Sequence, residues 1–275
     1  MEPILKYPGA KWKLARWIIE NMPPHESYLE PYFGSGAVFF NKEPARIETI
    51  NDVDGEVVHF FKTCRDKKDE LAEAIELTPW AREEFELADP RARTLEDVER
   101  ARQFAIRCWM SFGGRQSSKT WRHSTGTKKN GGPDNPKLWN RLPRIIGEVA
   151  DRLKDAQIEN KPAVELITKF DGPEVLIYAD PPYLRETRTL HGDQYHFEMT
   201  DSEHITFLEA MNKHSGPAMI SGYKSELYSR ALEGWTAIEK PTVAERGIKR
   251  TETLWINARA ASLLPTSALW PETRG

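Results

Sequence analysis

Residues 27–54 read SYLEPYFGSGAVFFNKEPARIETINDVD, and the order of chemistries inside them decides the fold. Ser27 to Pro31 reads as a short strand entering the turn Phe33-Gly34-Ser35-Gly36. Ala37 to Asn41 restarts as a helix, Arg46 to Ile50 is a second strand, and Asn51-Asp52 ends it. Strand, glycine turn, helix, strand, acidic residue is the order of a βαβ nucleotide-binding unit. Gly34 and Gly36 let the backbone approach a ligand, and Asp52, sixteen residues past Gly36, is placed to hold a ribose diol. The stretch is not GxGxxG, and no Lys-Ser/Thr follows as in a P-loop. A nucleoside without a pyrophosphate therefore fits better than a dinucleotide or ATP, and S-adenosylmethionine is such a nucleoside.

Working outward, Lys11 to Asn21 carries a helical apolar stripe stopped by Pro23-Pro24, and Gly55 to Lys62 is helical again. From Asp66 to Phe112 the pattern changes to amphipathic helices over Lys68 to Glu76, Trp80 to Ala88 and Leu95 to Met110. Thr94 is the expected N-cap of the last. A Gly-rich loop follows, then a helix from about Pro136 to Lys154. Alternation resumes with strands at Ala156 to Glu159 and Glu174 to Ala179, separated by the helix Pro162 to Phe170. Helices at Asp201 to His214 (capped by Asp201) and Ser225 to Ala231 flank the strand Ala218 to Ser221. Closing strands are expected at Trp235 to Glu239 and Thr253 to Asn257. The expected class is α/β, a Rossmann-like sheet formed by residues 1–62 and 156–275. A mainly helical insertion, residues 63–155, carries a basic loop at 113–136.

The 275 residues carry 39 % hydrophobic and 29 % charged side chains and 28 aromatics, which excludes a disordered or fibrous chain. No apolar run approaches the ~20 residues of a membrane span, and the N-terminus has charges where a signal peptide needs its apolar region. A soluble, cytoplasmic protein is expected. Cys64 and Cys108 lack CxxC spacing, arguing for a reducing compartment and against a disulfide framework or a zinc site. The net charge of −3 is unevenly spread. Arg115, Lys119, Arg122, Lys128, Lys129, Lys137, Arg141 and Arg144 face only Asp134, a local +7 that leaves −10 on the rest. A basic field on an acidic body is the footprint of a phosphate-backbone contact, with a solvated loop as the bland alternative.

After the apolar strand Val175 to Ala179 comes Asp180-Pro181-Pro182-Tyr183, where ligands of a doubly wound sheet bind. The Asp180 carboxylate accepts hydrogen bonds. Pro181 and Pro182 fix φ and remove two backbone donors, leaving rigid carbonyl acceptors. Tyr183 adds a flat face for stacking. An acceptor pair beside an aromatic plate suits a planar ring bearing an exocyclic amino group, although a proline-rich turn alone explains the string equally well.

Taken together, Leu5-Lys6-Tyr7-Pro8-Gly9-Ala10-Lys11, the run Tyr28 to Asn41, Asn51-Asp52-Val53-Asp54 and Asp180-Pro181-Pro182-Tyr183 resemble the Dam-type (alpha-group) DNA N6-adenine methyltransferases. The resemblance covers residues 4 to about 62 and 156 to 257, with motifs in the group's order. It implies S-adenosyl-L-methionine as cofactor, bound by Tyr7, Lys11, Asp52 and Asp180, with Glu30, Phe33, Gly34 and Gly36 lining the pocket. Tyr7 stands where the best-known members carry tryptophan. It implies a catalytic loop at Asp180, Pro181, Pro182 and Tyr183, and a DNA target-recognition role for the insertion. There Arg115, Lys119, Trp121, Arg122, Lys128 and Lys129 are the candidate DNA contacts. The implied reaction is direct methyl transfer to N6 of an adenine flipped out of duplex DNA, with no metal. A cognate restriction endonuclease is a further implied partner.

The competing readings are an amino-methyltransferase acting on cytosine N4, RNA or a protein glutamine, and a catalytically silent DNA-binding module. Cytosine C5 chemistry is excluded because neither Cys64 nor Cys108 follows a proline. Trp109 and Trp139 read as core, and His191, His196 and His204 as surface groups and not metal ligands.

Overall fold

The computed structural model describes residues 1–89, 91, 95–114, 116, 118–123, 134–187, 195–243 and 249–264. In chain order the first elements are α1 (Ala15–Glu20), β1 (Ser27–Glu30), β2 (Ile47–Asn51) and α2 (Gly55–Asp66). Helices α3 (Lys68–Glu76), α4 (Arg82–Leu87), α5 (Asp97–Met110), α6 (Asn135–Trp139) and α7 (Leu142–Leu153) follow. Then come β3 (Ala156–Glu159), α8 (Ala163–Lys169), β4 (Val175–Ala179), α9 (Asp201–Lys213), β5 (Ala218–Gly222) and α10 (Glu226–Ala231). The described chain closes with β6 (Thr236–Val243), β7 (Lys249–Ile256) and α11 (Ala258–Ser262).

β1 lies between β2 and β4, parallel to both, in a seven-stranded sheet ordered β3-β2-β1-β4-β5-β7-β6. Only β7 runs against its neighbours, pairing antiparallel with both β5 and β6. Chain order reverses at β1, so the carboxyl ends of β1, β2 and β4 open onto one crevice.

Side-chain alternation feeds two cores. Tyr28, Leu176 and Tyr178 pack on one face with Phe60, Phe104, Trp109, Ile145 and Leu153. Leu29, Ile177 and Ala179 point the other way, against Leu166, Phe207, Leu208 and Tyr228. Residues 63–155 share the first core through α3, α5 and α7, and Trp109 and Trp139 are buried there as expected.

Several local expectations are corrected. Ala37–Asn41 is a turn and not a helix: Phe40 N donates to Gly36 O at 2.9 Å and Asn41 N to Val38 O at 3.1 Å. Ala37, Val38, Phe39 and Phe40 are all buried, leaving no solvent face around which an amphipathic helix could form. The expected helix over 136–154 is two, because Pro143 starts a new helix in α7 while Trp139 is drawn inward to donate to Thr78 O at 2.8 Å. α5 begins at Asp97, and Thr94 lies outside the described residues. α9 is capped by Thr200 in place of Asp201, since Thr200 and Glu203 bond reciprocally. β6 and β7 run longer than expected; their outer halves are paired through backbone, which the polar side chains there conceal. His204 is buried, with Nδ1 2.9 Å from the Tyr228 hydroxyl.

Candidate active site

Three strand ends and the N-terminal segment converge on one cleft of about 350 Å³. β1 contributes Glu30 and the turn Phe33-Gly34-Ser35; β2 contributes Asp52; β4 contributes Asp180 and Pro182; and Tyr7 to Lys11 closes one side. Tyr195, Phe197 and Met199 close another side. Gly34 (φ +50°) and Gly36 (φ +67°) lie in the left-handed region, where a side chain is strained. A Cβ on Gly36 would overlap the Phe33 and Phe40 rings. Asp52 holds this turn: its Oδ2 accepts from Gly34 N at 2.8 Å and its Oδ1 from Asp54 N at 2.9 Å. Burial pushes the Asp52 carboxyl up to about 7 against those two bonds. Glu30 is pushed up to about 8 by burial, with Tyr28 donating to it at 2.6 Å.

The densest polar contacts surround Lys11, whose side chain is 4 % exposed. Its Nζ donates to Asp180 Oδ1 at 2.6 Å, the Tyr183 hydroxyl at 2.7 Å and Gly9 O at 3.0 Å. Burial works against the ammonium, but the Asp180 and Glu252 carboxylates beside it outweigh burial and lift its pKa. Ser221 Oγ, at the end of β5, also donates to Asp180 Oδ1, at 2.9 Å. Burial lifts the Asp180 carboxyl, opposed by Lys11 and Ser221. Both donors meet on Oδ1; among the described residues Oδ2 receives no hydrogen bond. Tyr183 stacks on Tyr223, with centroids 4.3 Å apart and planes at 20°.

The cleft thus brings together Tyr7, Lys11, Glu30, Phe33, Gly34, Asp52, Asp180 and Pro182, with Gly36, Pro181 and Tyr183 immediately beside them in the chain. Lys11, expected at the cofactor, bonds to the two side chains of the Asp180–Tyr183 loop. Of the candidate DNA contacts, Arg115, Lys128 and Lys129 lie outside the described residues, as does His191. Lys119 is exposed. Trp121 is half-buried under the Arg82 guanidinium, 4.7 Å from the ring centroid, and stacks on His123. Arg122 Nε donates to Ser111 O at 3.0 Å. Sequence reasoning missed Glu252, Ser221 and Tyr223. Glu252 had a legible signal, an acid heading the i, i+2, i+4 row whose next members, Leu254 and Ile256, are buried.

A doubly wound sheet with a glycine turn, a ribose-spaced acid and an Asp-Pro-Pro-Tyr loop at its switch point defines a Rossmann-like methyltransferase. The profile of the D12 class N6 adenine-specific DNA methyltransferases matches residues 7–245, and the chain belongs to that family. It is 28 % identical over 203 residues to the Type II methyltransferase M1.LlaDCHI of Lactococcus lactis subsp. cremoris, covering 69 % of this chain and 68 % of that one. Among solved structures, precorrin 8w decarboxylase of Methanobacterium thermoautotrophicum aligns over 89 % of this chain and 88 % of its own. The identity there is 9 % and the TM-score 0.36, too low to carry an argument. The enzyme is a DNA adenine-N6 methyltransferase that draws on a methyl donor, which sets aside the cytosine, RNA, glutamine and silent-module readings. No described helix is long and apolar enough to cross a membrane, and no three metal-ligating side chains cluster among the described residues.

Proposed function

We propose that the enzyme methylates N6 of an adenine extruded from duplex DNA, using S-adenosyl-L-methionine. The observation that carries this reading is the divided Asp180 carboxylate: Lys11 and Ser221 take Oδ1, leaving Oδ2 to accept from an incoming amino group beside the cleft. The cleft also suits that donor. It has the size of a nucleoside site. Its described lining holds Glu30, Asp52, Asp54, Asp180, Glu198 and Glu203 against the single cation Lys11; burial favours the neutral form of Glu30 and Asp52, and the remaining acids keep a field that attracts a sulfonium and an ammonium and repels phosphates. When bound, S-adenosyl-L-methionine supplies an electrophilic methyl group on its sulfonium. Tyr7, Phe33 and the turn Gly34 to Gly36 would flank it, Asp52 would receive its ribose, and Glu30 would offer an acid in the cleft lining.

The residues around the base act by acceptance. The N6 lone pair is delocalised into the purine ring, and two N–H bonds, to Asp180 Oδ2 and the Pro181 carbonyl, draw it out of the ring plane. Asp180, its carboxyl lifted by burial, then holds the proton that the amine releases at Oδ2. Pro182 stiffens the loop. Tyr183, itself stacked on Tyr223, supplies the aromatic plate for the base. Extrusion costs a few kcal/mol and one aromatic stack returns ~1–3 kcal/mol, so backbone contacts supply the rest. Those contacts fall to the helical insertion 63–155, through Arg115, Lys119, Trp121, Arg122, Lys128 and Lys129. We place the reaction in the cytoplasm, within a restriction–modification pair with a cognate endonuclease.

The test is expression in a host lacking adenine methylation, with modified bases mapped by long-read sequencing. N6-methyladenine at one short motif is expected, and its absence overturns the reading. Asp180→Ala should abolish the modification and leave DNA binding within about twofold; equal turnover in that variant would refute the acceptor role.

A further inference from the structure

Lys11 stands between two carboxylates. Its three N–H groups go to Asp180 Oδ1, the Tyr183 hydroxyl and Gly9 O, while Glu252 Oε1 lies 3.5 Å from Nζ without being one of those acceptors. Because the Tyr183 oxygen already accepts from Lys11, its own proton must point elsewhere. Both Glu252 oxygens lie 3.4 Å from that hydroxyl. Glu252 comes from β7, the antiparallel strand, and is 2 % exposed, so a carboxyl group is kept in the interior at a desolvation penalty that packing alone does not require. Directed bonds therefore run from Tyr183 to Glu252, from Lys11 to Tyr183 and from Lys11 to Asp180.

We propose that Glu252 is a positioning residue for methyl transfer, orienting the Tyr183 hydroxyl and balancing Lys11 so that Asp180 keeps acceptor strength for the base. The inference rests on the acceptor role of Asp180 given above. Without the second carboxylate, Lys11 pairs with Asp180 alone, and an ammonium fully satisfied by one carboxylate weakens it as an acceptor for N–H groups. The plane of Tyr183 also loses one of the bonds that hold it.

The experiment is single-turnover methylation by the full chain carrying Glu252→Gln, with cofactor and DNA dissociation constants and thermal unfolding measured alongside. The rate is expected to fall about tenfold with both affinities within about twofold, as for a misplaced reacting group. In a Tyr183→Phe background the same substitution should cost less than about threefold, because residues acting through one network are not additive. An unchanged rate, equal losses in both backgrounds, or a rate loss matched by lost affinity would each overturn the assignment. If the Gln variant does not fold, Glu252→Asp keeps the charge one methylene further back. A rate between wild type and about a tenth of it supports the role, and failure of both variants to fold marks Glu252 as a stability residue and overturns it. Asp180→Ala is run in parallel. An active Asp180→Ala removes the parent reading, whereas a dead one beside a fully active Glu252→Gln removes only this inference.

Discussion

At the residue scale, a few side chains do two jobs, and the geometry separates them. The spacing of Asp52 reads as that of a ribose acid, and in the structure both its oxygens accept backbone N–H groups that hold the glycine turn. Gly36 is the sharpest test of that turn. Its φ is +67° and its missing Cβ leaves room for the Phe33 and Phe40 rings, so Gly36→Ala combines left-handed strain with overpacking. A destabilisation of about 2–4 kcal/mol is expected in denaturant unfolding. A change below about 0.5 kcal/mol would show that the turn relaxes freely. Lys11 joins two parts of the chain. The family resemblance places it at the cofactor, and in the cleft its ammonium bonds to Asp180 and Tyr183, residues 169 and 172 positions further along the chain.

At the element scale, the strands were readable because their faces alternate. Leu176 and Tyr178 join one core while Ile177 and Ala179 join the other, a period of two visible in the apolar run itself. Helix ends were harder, since capping depends on which hydroxyl or carboxylate reaches a free N–H. For α9 the reciprocal bonds are Thr200 Oγ1 from Glu203 N at 3.2 Å and Glu203 Oε2 from Thr200 N at 2.7 Å. Glu203 and Thr206, in the first two turns of α9, line the cleft. Thr200→Ala is expected to destabilise the fold by about 1 kcal/mol. It should also raise the cofactor dissociation constant modestly. An unaltered unfolding midpoint would show that Asp201 can take over the cap.

At the scale of the whole molecule, two charge distributions have measurable consequences. Burial pushes Asp52 and Glu252 to about 7 and Glu30 to about 8, above ordinary values of 3.8 for aspartate and 4.5 for glutamate. The folded state therefore binds protons more tightly than the unfolded chain. This contribution to stability is fully present below about pH 4 and lost as pH rises through 7 to 8. The ligand-free enzyme should unfold at a higher temperature near pH 6 than near pH 9, and a midpoint that rises with pH across that window would contradict the burial of these acids. The second distribution is the basic segment. Among the described residues, Lys137 pairs with Asp134, Arg141 and Arg144 pair with Glu2, and Arg144 also reaches Glu148. If five of the eight cations meet a phosphate in the complex, log K should fall against log salt with a slope of about −4.5. Lys128→Ala with Lys129→Ala should flatten the slope by about 2. An unchanged slope would show that the loop is only solvated.

The linear chain was enough to specify the strands β1 and β2 with the glycine turn between them, an Asp-Pro-Pro-Tyr loop and an intervening stretch of amphipathic helices, because periodicity and turn chemistry are local properties carried by neighbouring residues. Folding alone could say that Lys11 reaches Asp180, that Ser221 and Lys11 crowd one oxygen of that carboxylate, and that Glu252 faces Tyr183. Those contacts join residues far apart in the chain, through the N-terminal segment and the register of neighbouring strands, the antiparallel β7 among them. No short-range pattern encodes that register; it is set when both faces of the sheet bury their side chains at once.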